Sequence, residues 1–483
     1  MTVPLRSPTG RAVVLTTVLG SSLAMLDATV VNIALPRIGE DLGASVADLQ
    51  WVVSGYTLTL ASLILLAGAL GDRLGRRRVF VWGTVWFTVA SAACALAPNI
   101  ELLIAARIVQ GVGAALLTPG SLALLSATID DDDRGAAIGL WSGLGGVASA
   151  AGPFLGGWLV EVASWRAVFW LNVPLAAAVV WVAVRHVPDS RDPHAHGRLD
   201  VPGTALGIVA LAALTYGLIA GHAIPVGIGI VAFGLFVVTE RRSSNPLVPP
   251  SLFRSRVFTA ANLVTLAVYA ALGGVFFLLV LQLQIVAGYS PIASGVATLP
   301  ITVLMLVLSS RAGRWAQHHG ARLPMTVGPL VGAVGLLLML RIGPDASYVA
   351  DVLPAVVVFG LGLSALVAPL TGAVLGSVST DRAGIASGVN NAVARTAQLL
   401  AVAALPGLAG ITDYSDIDGF NAGFHIAMLI CAGLMLAGAA IAALLVPSAK
   451  PTVEHADSIE CQPHCDVSAP ALVPEFDSPH DDR

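Results

Sequence analysis

Residues 68–78 read Gly68-Ala69-Leu70-Gly71-Asp72-Arg73-Leu74-Gly75-Arg76-Arg77-Arg78, and they lie between two long apolar blocks. These blocks, residues 48–70 and 79–97, are each close to the ~20 residues that a helix needs to cross ~30 Å of hydrocarbon. A short turn that carries several arginines between two such blocks is typical of a tight loop on the cytoplasmic side of a membrane. The stretch therefore predicts a polytopic helical membrane protein.

The composition of the whole chain agrees with this prediction. Of its 483 residues, 56% are hydrophobic and 11% are charged, and the mean hydropathy is +0.84. A soluble domain carries roughly 25% charged residues, so this chain cannot build a surface that faces water. The net charge of −4 gives no support for binding nucleic acid.

The apolar blocks predict an all-α fold with fourteen transmembrane helices, separated by charges and by Pro and Gly breaks. An even number of helices places both termini on one side, and most of the 25 basic residues then fall on that side, which is the cytoplasm. Only Arg37, Arg166 and Arg341 fall on the outer side of the membrane, and Arg107 and Arg395 lie within helices. The helices are predicted near residues 12–35, 48–70, 79–97, 100–127, 136–160, 168–187, 202–220, 223–239, 258–281, 292–311, 324–341, 350–375, 385–409 and 421–446.

The fourteen helices divide into groups of six, two and six. A faint echo of residues 71–77 at 316–322 indicates two related halves. Many secondary transporters are built from two related halves and bind their substrate between them. The segments are an N-terminal bundle (1–187), a cytoplasmic linker (188–201), an inserted two-helix hairpin (202–239), a cytoplasmic loop (240–257), a C-terminal bundle (258–447) and a disordered cytoplasmic tail (448–483).

Charges inside the predicted helices are candidate functional residues. Asp27 is the only carboxylate deep in a helix, and Arg107 and Arg395 are the bases there. Each costs ~2.5 to 3.5 kcal/mol at mid-membrane on insertion scales, so such residues face a bundle interior and find partners. Asp27 and Arg107 are the natural pair, and a change in their separation would load and release a proton. The alternative is a permanent salt bridge that only pins two helices.

A second set of residues is suited to conformational gating. Glycines permit a tight turn in the loop, where Asp72 is placed to accept from a helix N-terminus, and small residues in the fifth helix let two helices approach closely. The alternatives are a plain positive-inside loop and ordinary packing. The candidates are Gly68, Asp72, Arg73, Gly75 and Arg76 in the loop, and Gly152, Pro153, Gly156 and Gly157 in the helix.

Polar residues in other helices are candidates for a substrate cavity, although each could instead bond to a neighbouring helix, worth about 0.6 kcal/mol. An acid in an apolar cavity suits amphipathic or monocationic compounds, while neutral antibiotics and self-made metabolites fit as well. No metal site is predicted, because Cys461, His464 and Cys465 in the tail are taken as incidental composition. The cavity candidates are Asn32, Gln110, Gln282, Gln284, Asn390, Asn391 and Arg395.

These motifs together resemble the major facilitator superfamily, specifically its fourteen-helix drug:proton antiporter branch. Residues 68–78 are similar to the signature between helices two and three, and residues 103–115 to a helix-four motif whose arginine, here Arg107, is linked to proton coupling. Residues 152–157 resemble the helix-five motif of exporters, and residues 26–36 and 165–174 resemble stretches of the branch. Ala148 and Ala167 depart from the pattern, and residues 292–311 lack the acid that is tied to dicationic cargo.

The resemblance implies a secondary active transporter that exports small amphipathic drugs or antibiotics in exchange for protons by alternating access. It is not expected to be an enzyme or to use a cofactor, because a nucleotide P-loop needs a lysine and the only lysine is Lys450 in the tail. The expected partners are the lipid bilayer of the plasma or inner membrane, an amphipathic substrate and protons, and we expect a monomer. A proton-coupled importer, an exporter of an endogenous metabolite, and a membrane sensor or enzyme are the alternatives.

Overall fold

The computed structural model describes residues 3–191, 199–379 and 382–447, and the predicted tail lies outside these ranges. Within them the chain forms fifteen α-helices, and the only β-structure is an isolated bridge between Val3 and Ile129. The helices are α1 (Pro8–Leu42), α2 (Val46–Leu74), α3 (Arg76–Ala95), α4 (Ile100–Thr128), α5 (Asp131–Val162), α6 (Trp165–Trp170), α7 (Asn172–His186), α8 (Val201–Ala220), α9 (Ala223–Arg242), α10 (Arg256–Leu281), α11 (Pro291–His319), α12 (Arg322–Leu338), α13 (Leu353–Gly376), α14 (Ala383–Leu408) and α15 (Ile417–Leu445).

Thirteen helical segments of the described chain are long and apolar enough to cross a membrane. The helices α6 and α7 count as one segment, Trp165–His186, which is interrupted at Leu171. Pro174 accounts for the interruption, because it has no N–H to donate to the carbonyl of Trp170. Residues 282–286 and 348–352 are π-helical turns that extend α10 and precede α13.

Helix α14 is not among the thirteen segments, although it has 26 residues and corresponds to the helix predicted at 385–409. It carries Asn390, Asn391, Arg395 and Gln398, which lower its mean hydropathy. It nevertheless packs against α10 on one side and against α2 and α8 on the other. Its polarity therefore reflects a position inside the bundle rather than a surface position.

The helices α8 and α9 correspond to the predicted two-helix insert, and they pack against each other. Helix α8 also covers the seam where α2 meets α14, and the rings of Trp51 and Tyr216 lie 6.5 Å apart there. Only a small part of α9 is buried. The hairpin thus lies outside the main bundle, against one of its two long seams.

Hydrogen bonds that join the two halves within the described residues lie at one end of the bundle. Gln50 donates to the carbonyl of Val402 at 2.8 Å, and Gln284 donates to the carbonyl of Ile33 at 3.0 Å. Ser290 donates to the carboxylate of Glu161 at 2.8 Å. These contacts lie where α1, α5 and α14 end and where α2 and α11 begin. We call this end of the bundle the closed end.

Helices α5 and α11, which belong to different halves, move apart with distance from the closed end, as three glycines on one face of α5 show. Positions 157, 146 and 139 share this face because they are separated by whole helical turns. A Cβ atom added at Gly157 would lie 2.5 Å from the Pro291 carbonyl oxygen, and one added at Gly146 would lie 3.2 Å from Leu306. One added at Gly139 would meet no described atom within 4 Å. The opposite end, where α5 begins, is therefore the open end.

Candidate functional site

Asp27 of α1 and Arg107 of α4 form an ion pair in the interior of the N-terminal half. The Arg107 Nη1 atom lies 2.5 Å from the Asp27 Oδ2 atom, and the two residues are 1% and 2% exposed. The Arg107 Nε atom donates to the carbonyl of Val52 at 3.1 Å, and its guanidinium lies 4.3 Å from the ring centre of Tyr56. The arginine thus joins α1, α2 and α4 around one buried charge pair.

The second oxygen of Asp27 is held by two amide side chains. Gln110 Nε2 and Asn172 Nδ2 donate to the Asp27 Oδ1 atom at 2.9 and 3.1 Å. Asn172 also donates to Ser91 at 3.0 Å, and the Gln110 oxygen accepts from Arg107 at 2.6 Å. Both oxygens of Asp27 therefore accept hydrogen bonds from neighbouring side chains.

Gln110, which was predicted to line a cavity, is buried in the Asp27 network inside one half in this conformation. The sequence analysis also missed Asn172 and Ser91 as members of this network. Asn172 gave a signal, since it is an amide in an apolar segment two residues before Pro174. Ser91 gave none, because a serine in a membrane helix usually bonds within its own helix.

The predicted small residues of α5 face two different neighbours. A Cβ atom added at Gly152 would collide with Thr29, and one added at Gly156 would lie 2.7 Å from Val30, so these glycines pack on the α1 segment that carries Asp27. Gly157 instead faces Pro291 of α11, and the carbonyl of Pro153 lies against Gly295 of the same helix. Helix α5 therefore connects the closed end between the halves with the Asp27 segment of α1.

Two further predicted cavity residues make contacts that do not line a cavity. Gln282 is buried within the C-terminal half, where it donates to the carbonyl of Ile342 at 2.8 Å and to Asn421 at 2.6 Å. Gln284 bonds across the closed end to Ile33. An apolar-helix pattern cannot distinguish such helix-end contacts from cavity positions.

The remaining cavity candidates are half-buried or exposed. Asn390 donates to Asn262 and Thr265 of α10 at 3.1 and 2.8 Å, while the exposed Asn391 donates to the carbonyl of Ser387 in its own helix. The Oδ1 atom of Asn32 is buried and has no hydrogen-bond partner in the described chain. Arg395 is half-buried on α14, and its Nη1 atom donates to Gln398 at 3.3 Å.

The loop between α2 and α3 is fastened by charges at the open end. Asp72 accepts from Arg76 at 2.9 Å rather than from a helix N-terminus, which corrects the sequence-based expectation. Gly75 adopts a φ of 115°, which favours glycine, and an added Cβ atom would lie 2.6 Å from the carboxylate of Asp189. Arg73 is half-buried, and a side chain at Gly71 would meet open space.

The segment after α7 completes this loop. Asp189 forms an ion pair with Arg78 at 3.2 Å, Arg77 donates to the carbonyl of Val187 at 2.9 Å, and the backbone N–H of Arg76 donates to the carbonyl of Ser190 at 2.8 Å. Nothing in the sequence distinguished Asp189 for this role from the other acids near the predicted linker. The first residues of the linker are thus bound to the N-terminal half.

The described ranges contain no group of three or more side chains that could together bind a metal ion.

Two pockets of the molecule bear on where a small molecule could bind. One, of about 350 Å³, lies near Asp41 and Arg166 at the closed end, and the other, of about 520 Å³, is an apolar groove beside Trp181. Neither pocket includes the Asp27 network or Arg395.

Comparison with known proteins identifies the family. The sequence profile of the Major Facilitator Superfamily matches residues 17–402. The chain is 39% identical over 353 residues to a methylenomycin A resistance protein of Bacillus subtilis, covering 71% of this chain and 75% of that protein. It is 36% identical over 396 residues to the tetracenomycin C resistance and export protein of Streptomyces glaucescens, covering 80% and 73%.

The fold agrees with this assignment. The crystal structure of the POT family transporter PepTSo superposes with a TM-score of 0.67 at 16% identity, and the match covers 90% of this chain and 97% of that chain. At this level of identity the likeness concerns the fold alone. Together with the family profile and the resistance proteins, it shows that this chain is a multi-pass membrane transporter that belongs to the Major Facilitator Superfamily.

Proposed function

We propose that this transporter exports small amphipathic, antibiotic-like molecules in exchange for protons, by alternating access between its two halves. In this proposal α14 is a membrane-spanning helix, so fourteen helices cross the bilayer and both termini lie in the cytoplasm. The observation that carries it is the Asp27 carboxylate, sealed at the meeting point of α1, α4 and α7 with Arg107, Gln110 and Asn172 around it. The names of the related resistance and export proteins support the outward direction.

The Asp27 network links proton binding to a change of conformation. Protonation of Asp27 would remove the negative charge that compensates Arg107, which is 1% exposed. A buried charge without its partner destabilises the surrounding structure by about 3 to 5 kcal/mol. The protonated carboxyl is therefore compatible only with a different arrangement of α1 and α4, and by linkage a change in that arrangement alters the affinity for the proton.

The positions of the arginines support a cytoplasmic location for the open end. The loop from Asp72 to Arg78 and the bound segment from Val187 to Ser190 lie there, and short cytoplasmic loops collect Arg and Lys. The described conformation is then the one that receives cargo from the cytoplasm after Asp27 has released its proton. One charge crossing 100 mV supplies ~2.3 kcal/mol, whereas tenfold accumulation of cargo costs ~1.4 kcal/mol, so one proton suffices.

The test replaces Asp27 with asparagine, which keeps the size and removes the titratable proton. An efflux-deficient bacterial host expressing the transporter is challenged with methylenomycin A and tetracenomycin C, with and without a proton uncoupler. We expect the wild type to give uncoupler-sensitive resistance to at least one compound, and Asp27→Asn to lose it while reaching the membrane in equal amount. Asp345→Asn, in an exposed loop, is the matched control and should behave as the wild type.

Inverted membrane vesicles carrying a pH-sensitive dye test the exchange itself. Addition of the cargo should release protons from the vesicles that hold the wild type, and it should leave vesicles with Asp27→Asn unchanged. Uncoupler-sensitive transport by Asp27→Asn would disprove the role of this carboxylate. Depletion of cargo from energised inverted vesicles, instead of accumulation, would identify an importer.

A further inference from the structure

The half-buried Arg395 lies on the inner side of the seam between the halves. It shares a face of α14 with Gly388 and Val402, seven residues away on either side, and both of these contact α2. Along this face Val402 meets Gln50 and Gly388 meets Leu65, so Arg395 lies level with the part of α2 near Tyr56. Helix α10 packs on the side of α14 that faces α1, away from the covering hairpin. Arg395 therefore faces the space between the halves.

Within the described residues, Arg395 has no carboxylate partner. The ion pairs of the described chain involve other arginines, and the hydrogen bond to Gln398 at 3.3 Å uses one of the five N–H groups of the guanidinium. Charged groups at membrane depth are normally paired or face an aqueous path, and they mark the sites where transported molecules bind. The guanidinium is thus positioned to receive an anion from outside the chain.

The acid that was expected to attract cationic cargo already has hydrogen-bond partners on both of its oxygens. Asp27 is 2% exposed, and its two oxygens are occupied by Arg107, Gln110 and Asn172. The charge without a carboxylate partner on this face of α14 is positive, because it belongs to the half-buried Arg395. The sequence-based expectation of monocationic cargo assumed instead that the carboxylate lies in the cavity.

Tyr56 supplies a second, independent polar group on α2 at the level of Arg395. Its side chain is 3% exposed, and its hydroxyl has no hydrogen-bond partner in the described part of the chain. Its ring centre lies 4.3 Å from the Arg107 guanidinium. An anion on Arg395 could accept from this unpaired hydroxyl, which would connect the bound molecule to the helix that carries the Arg107 contacts.

We propose that Arg395 binds the anionic group of the cargo, and that the transported molecules are amphipathic organic acids. The apolar body of such a molecule packs between the halves, its anionic group pairs with the Arg395 guanidinium, and the Tyr56 hydroxyl donates to the same group. This proposal rests on the proposed transport function, because it names the chemical class of the molecule that is moved.

The test measures equilibrium binding to purified protein in phosphatidylcholine nanodiscs, without a pH gradient. Fluorescein and rhodamine 123 are the probes, since they share a xanthene ring system and differ in charge. We expect fluorescence anisotropy to show that the wild type binds the anionic fluorescein at least tenfold more tightly than the cationic rhodamine 123. Arg395→Gln should weaken fluorescein binding at least tenfold without weakening rhodamine 123 binding, and Arg395→Lys should retain part of the preference.

Arg37→Gln is the matched control, because Arg37 is exposed at the closed end and pairs with Glu40. Competition on the wild type gives a measurement that does not depend on the folding of a variant: naphthoate should displace fluorescein, and its methyl ester should not. The proposal is overturned if the wild type shows no saturable fluorescein binding, if it prefers rhodamine 123, if Arg395→Gln binds fluorescein normally, or if the ester competes as well as the acid. Failure of the Asp27 test leaves these binding results standing, so the two proposals fail separately.

Discussion

The replacement of Gly157 by alanine should open the closed end of the bundle. The added methyl carbon would lie 2.5 Å from the Pro291 carbonyl oxygen and 2.6 Å from the Ile292 Cα atom. Both neighbours are backbone atoms of α11, so no side-chain rotation can relieve the collision. The two helices must separate at this point, and in the proposed alternating-access cycle their contact belongs to one of the two conformations.

The size of the effect follows from the geometry. Overpacking of a well-packed contact costs about 1 to 3 kcal/mol, and the whole of this cost falls on the conformation in which α5 touches α11. The equilibrium between the conformations should therefore shift about 5-fold to 150-fold toward the one in which the closed end has opened. Gly143→Ala is the control on the same helix, because an added Cβ atom there would meet no described atom within 4 Å.

Spin labels at Leu96 and Leu408 report this change. These residues are 69% and 68% exposed and lie at the closed end on opposite halves, while the native Cys94 and Cys431 are fully buried. With the cysteines of the C-terminal segment replaced by serine, double electron–electron resonance should show a larger population of long distances in Gly157→Ala than in the wild type or in Gly143→Ala. An unchanged distance distribution would refute the assignment of this contact as a conformational gate.

Two further replacements test the loop at the open end and the carboxylate network. Gly75→Ala forces a φ of 115° on a residue with a Cβ atom and places that atom beside Asp189. Thermal unfolding should therefore begin at a lower temperature, and transport should slow. Gly71→Ala, at a position that faces open space, should change neither the unfolding temperature nor the transport rate. Asn172→Leu removes a hydrogen-bond donor from the buried Asp27 and should lower the free energy of unfolding by about 1 to 3 kcal/mol in detergent. Asn391→Leu, at an exposed position, should have little effect on this free energy. Equal losses for the two variants would contradict the role of Asn172 in the network.

The membrane-crossing pattern was readable from the sequence, while the helix ends were not. Hydropathy reports only the part of a helix that lies in hydrocarbon, so the first helix was predicted at 12–35. In the structure it runs from Pro8 to Leu42, because Ser7 caps its N-terminus and Gly43 takes the left-handed conformation at its C-terminus. Short-range capping extends a helix beyond its apolar block, and hydropathy is insensitive to it.

The charged pair at the centre of the site could be predicted, whereas the neutral groups around it could not. Asp27 and Arg107 stood out because a charge within an apolar helix requires a partner, and few were available. Ser91 and Asn172 are neutral, and many positions of the chain could accommodate such residues by bonding to a neighbouring helix. Arg395 was noticed for the same reason as Arg107, but only the structure showed that Asp27 is already paired with Arg107 and that Arg395 donates to Gln398.

The polarity of α14 also bears on how the protein is assembled during synthesis. A helix that carries Arg395, Asn390, Asn391 and Gln398 partitions poorly into lipid when it leaves the translocon by itself. Its polar partners on α10, among them Asn262, belong to an earlier part of the chain and are already in the bilayer at that moment. We infer that, in the proposed arrangement with α14 across the bilayer, its entry depends on prior placement of α10 and α2, so a defect in either earlier helix would appear first as failed insertion of the helix that carries the charge.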